Sequence, residues 1–161
     1  MKAVAEAESL ASEFQADGKP KILFERHKFH AFTAGKYSAD HPDISNERAD
    51  GYTKNEYARL EKAAKLDRTA ALKSTNWGKF QIMGFNFALA GFSTLQDFIT
   101  AMYRSESDQL KAFVHFIKYN RLDDELHEKR WADFSRIYNG KNFHINEYDI
   151  KIGNVYKKYS N

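Results

Sequence analysis

The chain contains no cysteine. It therefore has neither a disulfide framework nor a cysteine-ligated metal site. It also lacks any apolar run near the roughly 18–20 residues of a membrane span, and its N-terminus does not have the pattern of a secretory signal. HExxH spacing, a glycine-rich phosphate loop and a GxSxG turn are absent as well. We expect a domain that does not insert into membranes and that has no zinc site.

The chain does have enough length and enough apolar side chains for a packed core. Its 161 residues suffice for one domain, which would bury about two-thirds of its unfolded surface. Apolar residues make up 42% and aromatic residues 15%, so we do not expect disorder. The aromatic surplus suits a core and also a cleft that stacks against sugars or bases. The net charge of +3 fits an anionic partner or an ordinary soluble protein, and the scattered basic residues do not favour nucleic-acid binding.

The N-terminal third combines one helical pattern with extended and turn-rich segments. Apolar spacing predicts a helix over Ala3–Phe14, stopped by Asp17-Gly18 and by Pro20. Lys21–Phe24 is predicted to be a strand or extended segment, and His27–Thr33 a short helix. The density of turn residues in Gly35–Gly51 indicates a long ordered loop or a small hairpin.

From Lys54 the pattern is helical almost to the end of the chain, with a break at Trp77-Gly78. The predicted helices are Asn55–Leu66, Asp67–Lys73, Leu95–Ser105, Ser107–Lys118, Trp131–Tyr138 and Tyr148–Tyr159. We therefore predict a single domain over residues 1–161. Its fold class is mainly α, or α+β, with a small β or extended segment near the N-terminus.

Glu8 is the first candidate for chemistry. Valine and alanine residues surround it near the end of the first predicted helix, so packing could desolvate its carboxyl and raise the pKa. A carboxyl that stays protonated near neutral pH is what a glycosidase needs as its general acid. The alternative is an ordinary solvated glutamate, like Glu6, which points to a different helix face.

Glu25 ends the apolar run Ile22–Phe24 and is the second candidate. Its carboxylate could face the same cleft as Glu8 and act as a base or stabilise a cation. The alternative is a salt bridge with Arg26 or a nearby lysine.

The densest unusual stretch is Asn76–Gly84. Its glycines allow close backbone approach, and Gln81 offers both a donor and an acceptor for sugar hydroxyl or acetamido groups. The alternative is a helix start that packs Trp77 and Phe80 into the core. Tyr138-Asn139 precedes Gly140, so this segment is either a helix-ending turn or a turn that presents both side chains to a ligand.

Three of these segments together resemble the lysozyme-like superfamily. Ala5–Ser9 resembles its helix ending in a Glu-Ser pair, Gly78–Met83 its Gly-x-x-Gln-Ile-Met segment, and Tyr138–Gly140 its Tyr-Asn-x-Gly element. The chain is most similar to phage and prophage N-acetylmuramidases, or endolysins. That similarity extends from Val4 to about Tyr156, with counterparts for Pro20–His27, His41–Asp43, Ser74–Asn86 and Ala112–Ile117.

The resemblance implies a lysozyme-like fold with a glycan-binding cleft. It implies Glu8 as the general acid and Glu25 as the second carboxylate, with substrate bound by Ser9, Trp77, Gln81, Met83, Tyr138 and Asn139. The implied partner is the glycan strand of peptidoglycan. The enzyme is expected to act on it as a monomer. The implied protein is made in the bacterial cytoplasm without a signal peptide and acts on the cell wall. Because family members often carry a peptidoglycan-binding module, this domain is expected to be N-terminally truncated or separated from such a module.

The implied reaction is hydrolysis of the β-1,4 bond between N-acetylmuramic acid and N-acetylglucosamine, which requires no metal and no organic cofactor. An inverting mechanism needs about 6.5–9.5 Å between the two carboxyls and a retaining one about 5–5.5 Å, and we favour the wider spacing. Two alternatives are a lytic transglycosylase, which leaves anhydromuramic ends, and a non-catalytic peptidoglycan-binding module. A helical nucleic-acid-binding domain, suggested only by the positive charge, is a third.

Overall fold

The computed structural model describes residues 14–138 and 148–160. Within these ranges the fold is mostly helical with one small antiparallel sheet. The strands are β1 (Ile22–Phe24), β2 (Thr75–Trp77) and β3 (Ile82–Met83), in the order β1-β2-β3. The helices are α1 (Arg26–Phe32), α2 (Glu56–Leu66), α3 (Arg68–Lys73), α4 (Leu95–Arg104), α5 (Glu106–Tyr119), α6 (Asp123–His127), α7 (Trp131–Tyr138) and α8 (Tyr148–Ser160), with a 3₁₀ turn at Gly84–Asn86.

Side chains that accept hydrogen bonds from backbone N–H groups begin four of these helices. Asn55 caps α2, Asp67 caps α3, Thr94 caps α4 and Ser105 caps α5. Each cap satisfies one of the N–H groups that has no partner within its helix. Ser105 also ends α4, so α4 and α5 are separate helices joined at one residue.

The predicted elements agree with the structure over most of the described ranges. The strand before Glu25 and the short helix after it are confirmed, as are the helices that correspond to α2, α3, α4, α5, α7 and α8. The turn at Asp17-Gly18 is also confirmed, with Gly18 at a φ of 78°. Most of the predicted helix Ala3–Phe14 lies outside the described residues. Its last residue is not helical, because Phe14 forms a β-bridge with Pro20.

The prediction was wrong for residues 75–83. The structure forms a β-hairpin there instead of a break between helical segments, so two of the three strands come from the middle of the chain. Within Gly35–Gly51 the structure has turns and no strand, so the hairpin alternative for that segment is wrong. Helix α6 was not predicted, because five polar-rich residues carry too little apolar periodicity.

The core lies between one face of the sheet and the helices. Alternate residues of the strands point into it: Ile22 and Phe24 from β1, Thr75 and Trp77 from β2, and Ile82 from β3. They join a set of fully buried aromatic side chains, namely Phe29, Phe98, Phe113 and Phe134. Successive side chains of a strand point to opposite faces, so the other face of the sheet is left for Leu23, Asn76 and Met83.

Candidate active site

The half-exposed face of the sheet carries one row of three side chains. Asn76 pairs with Leu23 on one side and with Met83 on the other, and all three are partly exposed. Residues directly opposite each other in antiparallel strands have side chains on the same face. This row therefore forms a shallow open surface, hereafter the open sheet face, on the side of the sheet away from the core.

Glu25 lies at the edge of the open sheet face. It follows β1 directly and occupies the N-cap position of α1, yet its side chain makes no capping hydrogen bond. Its backbone N–H donates to the carbonyl of Ser74, which extends the contact between β1 and β2 by one step. The carboxylate is thus directed along the sheet instead of over the helix end. The side chain is 12% exposed, so it is partly desolvated but still reachable.

Two polar groups hold the Glu25 carboxylate, one on each oxygen. The Tyr52 hydroxyl donates to Oε2 at 2.9 Å. The Asn76 amide nitrogen donates to Oε1 at 3.4 Å, a distance near the limit for a hydrogen bond. These donors come from different elements, because Tyr52 lies on the loop before α2 and Asn76 lies on the sheet. The carboxylate is therefore fixed in rotation as well as in position.

The predicted alternative for Glu25, a salt bridge with Arg26, is not formed. The Arg26 guanidinium instead donates to the carbonyls of Pro42 and Arg48 and pairs with Asp50. Arg26 therefore anchors the 42–50 loop and leaves the carboxylate of its neighbour unpaired by arginine.

His27 is the titratable group nearest to Glu25 on the same helix. Its Nδ1 lies 3.3 Å from Glu25 Oε2, but the angle does not make a hydrogen bond, and this buried nitrogen has no other partner among the described residues. Burial lowers the pKa of His27, and the charge of Lys28 lowers it further, while the charge of Glu25 acts in the opposite direction. The ring is thus held mainly in its neutral form at neutral pH.

The pKa of Tyr52 is raised to about 12, chiefly by burial of its hydroxyl and then by the negative charge of Glu25 and the hydrogen bond to it. The hydroxyl consequently keeps its proton and remains a donor throughout the neutral range. The residue as a whole remains 49% exposed beside the carboxylate.

A second carboxylate, Glu56, is distant from Glu25 in sequence but is bonded to the neighbouring Phe24 backbone, and it has a structural role. Its Oε1 accepts from the backbone and hydroxyl of Thr53, and its Oε2 accepts from the Phe24 backbone and from Arg59. The Arg59 side chain is buried too and donates to the Phe24 carbonyl. Because both oxygens are fully occupied, Glu56 ties α2 to β1 and is not available to a ligand.

The structure places the sequence-predicted binding residues at different positions around the hairpin. Met83 lies on the open sheet face beside Asn76. Gln81 lies in the turn, with a φ of 49°, and its amide nitrogen donates to the Gly78 carbonyl at 2.9 Å. The same turn is contacted by Tyr138, whose hydroxyl donates to the Phe80 carbonyl. Met83 therefore lies nearest to Glu25, while Gln81 and Tyr138 mark the turn end of the hairpin.

Trp77 does not lie where the resemblance implied. Its side chain is 1% exposed, its indole N–H donates to the Leu72 carbonyl at 3.1 Å, and its ring packs against Tyr103. It has no exposed face that a sugar could stack against, which corrects the prediction of a cleft-lining residue. The alternative that the sequence offered, a tryptophan packed into the core, agrees with the structure. The physical reason is strand alternation, which turns Asn76 outward and its neighbour inward.

Glu8, Ser9 and Asn139 lie outside the described residues. Their roles, and the separation between the Glu8 and Glu25 carboxyls, stay predictions.

Two residues of the site were missed in the sequence, Tyr52 and Asn76. Asn76 could have been found by treating residues 75–77 as a strand, since alternation then places Asn76 on the face opposite to Trp77. Tyr52 had no signal, because it lies in a loop 27 residues from Glu25 and only folding brings the two together.

Another concave surface lies between α7 and α8, with Lys129, Trp131 and Asp149 among its lining residues. It includes none of the predicted site residues. Among the described residues no group of three or more His, Asp or Glu side chains could hold a metal ion. Over the same part of the chain, no helix combines the length and apolar character needed to cross a bilayer.

A mainly helical domain with a three-stranded antiparallel sheet and a carboxylate at its edge defines an α+β protein of lysozyme-like fold. The family model named Muramidase, described as N-acetylmuramidase, matches residues 1–160. The chain belongs to this family. The crystal structure of Burkholderia AP3 phage endolysin is similar, with a TM-score of 0.89 and 39% sequence identity. The match covers 99% of this chain and 63% of that one, so this chain spans less than two-thirds of its length. No curated protein matches the chain.

Proposed function

We propose that the chain is a peptidoglycan-degrading N-acetylmuramidase that hydrolyses the β-1,4 bond between N-acetylmuramic acid and N-acetylglucosamine. The observation that carries this proposal is the Glu25 carboxylate, held on both oxygens by neutral donors at the edge of the open sheet face. Family membership supports the substrate class, and the endolysin similarity supports action on bacterial cell walls.

The proposed division of roles assigns proton donation to Glu8 and the second carboxylate role to Glu25. Glu8 protonates the leaving glycosidic oxygen, and Glu25 activates water or stabilises the oxocarbenium-like transition state. The Tyr52 and Asn76 donors support this assignment, because hydrogen bonds to a carboxylate stabilise its charged form. Glu25 then suits the role that requires a negative charge. We retain the wider, inverting separation of the two carboxyls as the proposed geometry.

The proposed glycan path runs along the open sheet face. Met83 supplies apolar contact beside Asn76, and Gln81 lines the path farther along the hairpin. Ser9 and Asn139 stay in the proposed set of glycan-binding residues. Tyr138 contributes at the turn end, where its ring is only partly exposed. We propose a monomer that is made in the cytoplasm of a bacterial host and acts on the wall, without binding nucleic acid.

The first test is a turbidity assay on outer-membrane-permeabilised Gram-negative cells. Glu8→Gln and Glu25→Gln are compared with two controls, Glu6→Gln and Glu61→Gln, of which Glu61 is exposed on α2. Removing the general acid should lower lysis by about 10²-fold or more, and the controls should retain it. Lysis by Glu8→Gln equal to that of the unchanged chain would remove Glu8 from its role.

The second test identifies the bond that is cut. Mass spectrometry of digested peptidoglycan should find reducing N-acetylmuramic acid ends. Anhydromuramic ends would instead identify a lytic transglycosylase. Wall binding without any cleaved product, retained in Glu8→Gln, would identify a binding module.

A further inference from the structure

We propose that Tyr52 is a positioning residue for Glu25, and that the loop carrying it is built to hold its hydroxyl on the carboxylate. The proposal rests on the muramidase function proposed above. It assigns a catalytic contribution to a side chain that acts through Glu25 and needs no contact with the reacting atoms.

The first step of the argument is the geometry around the carboxylate. The Tyr52 hydroxyl lies 2.9 Å from Oε2, against 3.4 Å for the Asn76 amide on Oε1. The shorter contact is the stronger one, and a hydrogen bond to a charged acceptor is stronger than one between neutral groups. Tyr52 therefore contributes more than Asn76 to fixing the carboxylate.

The second step is that the loop around Tyr52 is braced on both sides. Ahead of it, Arg26 donates to the Pro42 and Arg48 carbonyls and pairs with Asp50. After it, the Thr53 backbone and hydroxyl both donate to the buried Glu56 carboxylate, which also accepts from the Phe24 backbone. Phe24 and Arg26, which precede and follow Glu25 in sequence, thus both anchor the loop that carries Tyr52. Arg26 does so directly, and Phe24 does so through Glu56.

The third step is the fit of the loop against Arg26. Gly51, directly before Tyr52, has a φ of 79°, a conformation that strongly favours glycine. A Cβ at this position would lie 3.0 Å from the Arg26 guanidinium. A larger residue here would therefore require the Arg26 guanidinium to shift, so the glycine lets the backbone lie close to its anchor directly before Tyr52.

Other charged groups around the pair do not replace the Tyr52 donor. His27 lies close to Oε2 but makes no hydrogen bond to it, and Arg59 is committed to Glu56 and to backbone carbonyls. Loss of the tyrosine hydroxyl would leave Oε2 to solvent and free the carboxylate to rotate.

The test uses Tyr52→Phe, which keeps the ring and removes only the hydroxyl. With a soluble glycan-strand fragment as substrate, kcat should fall about tenfold while KM stays unchanged. The melting temperature should fall by no more than about 4 °C, because the lost hydrogen bond is partly exposed to solvent. The matched control is Tyr103→Phe, which removes a hydroxyl that donates to Tyr57 and does not contact Glu25. The control should keep both constants. An unchanged kcat in an active Tyr52→Phe protein would overturn the inference and leave the proposed function standing.

A double-variant cycle separates action through Glu25 from general loop damage. Adding Tyr52→Phe to Glu25→Gln should cause little further loss, because the group that the hydroxyl positions is already gone. Additive losses would show that Tyr52 acts by another route and would overturn the inference. If the unchanged chain releases no product from peptidoglycan at all, the proposed function fails, and the inference fails with it.

Discussion

The side-chain amide of Gln109 occupies the space that a side chain at Gly78 would need. A Cβ on Gly78 would lie 2.7 Å from Gln109 Oε1, and the glycine has a φ of 70°. The same oxygen accepts the Lys79 N–H at 2.8 Å, and the amide nitrogen donates to the Met102 carbonyl at 2.8 Å. One buried glutamine on α5 therefore attaches the hairpin turn to the end of α4.

We expect Gly78→Ala to destabilise the fold by about 3 kcal/mol, because left-handed strain and steric overlap with Gln109 add together. Gly18→Ala is the matched control: it has a φ of 78° but nothing within 4 Å of the added Cβ, so strain alone should cost about 1 kcal/mol. Denaturant unfolding measures both. Equal losses at the two positions would show that Gln109 does not restrict position 78.

Neighbouring positions 76 and 77 should have opposite phenotypes. Asn76→Ala removes a long hydrogen bond to Glu25 from the open sheet face, so kcat should fall about threefold with stability changed by less than about 1 kcal/mol. Trp77→Phe leaves the Leu72 carbonyl without its indole donor, so it should cost about 2 kcal/mol of stability and little activity. Thermal unfolding and product release measure the two effects. Reversed phenotypes would contradict the strand alternation that turns Asn76 outward and Trp77 inward.

Burial of His27 should make stability depend on pH below neutrality. Its pKa is lowered from 6.5, so below that pH the unfolded chain binds a proton that the folded protein resists. The contribution of neutral His27 to the free energy of unfolding is full above about pH 6.5. It is lost as the pH falls through that value toward the pKa of His27 in the folded protein. Urea unfolding at a series of pH values should show a smaller loss in His27→Gln than in the unchanged chain. His127→Gln, at an exposed position on α6, is the control and should keep the full loss.

The Tyr52 hydroxyl should lose its proton at a higher pH than an ordinary tyrosine. Its pKa is raised from 10.0 to about 12, so between these values the unfolded chain releases a proton that the folded protein retains. Stability from this group is therefore full below about pH 10 and declines as the pH rises toward 12. NMR titration of ¹³C-labelled tyrosine, with Tyr52→Phe assigning the signal, measures the midpoint. Glu25→Gln should lower that midpoint by removing a negative charge, while burial keeps it above 10. A midpoint near 10 in the unchanged chain would contradict the hydrogen bond to Glu25 and the partial burial of Tyr52.

The sequence by itself determined most of the helices in the described ranges and the place of Glu25 directly after β1. Apolar periodicity and capping residues such as Asn55, Asp67 and Thr94 act within a few residues, so they are visible in the chain. The resemblance to muramidases also came from short, ordered motifs, and the family match over residues 1–160 confirms it.

Only the tertiary structure decided which side chains surround that carboxylate. The hairpin at 75–83 was not predicted, because its strands are two or three residues long and β2 is stabilised by pairing with β1, some fifty positions earlier, as well as with β3. That pairing turned Trp77 into the core and Asn76 toward Glu25. Tyr52 lies beside Glu25 because the loop that carries it is held by Arg26 and Glu56. Contacts between residues far apart in the chain depend on packing that local propensities do not encode.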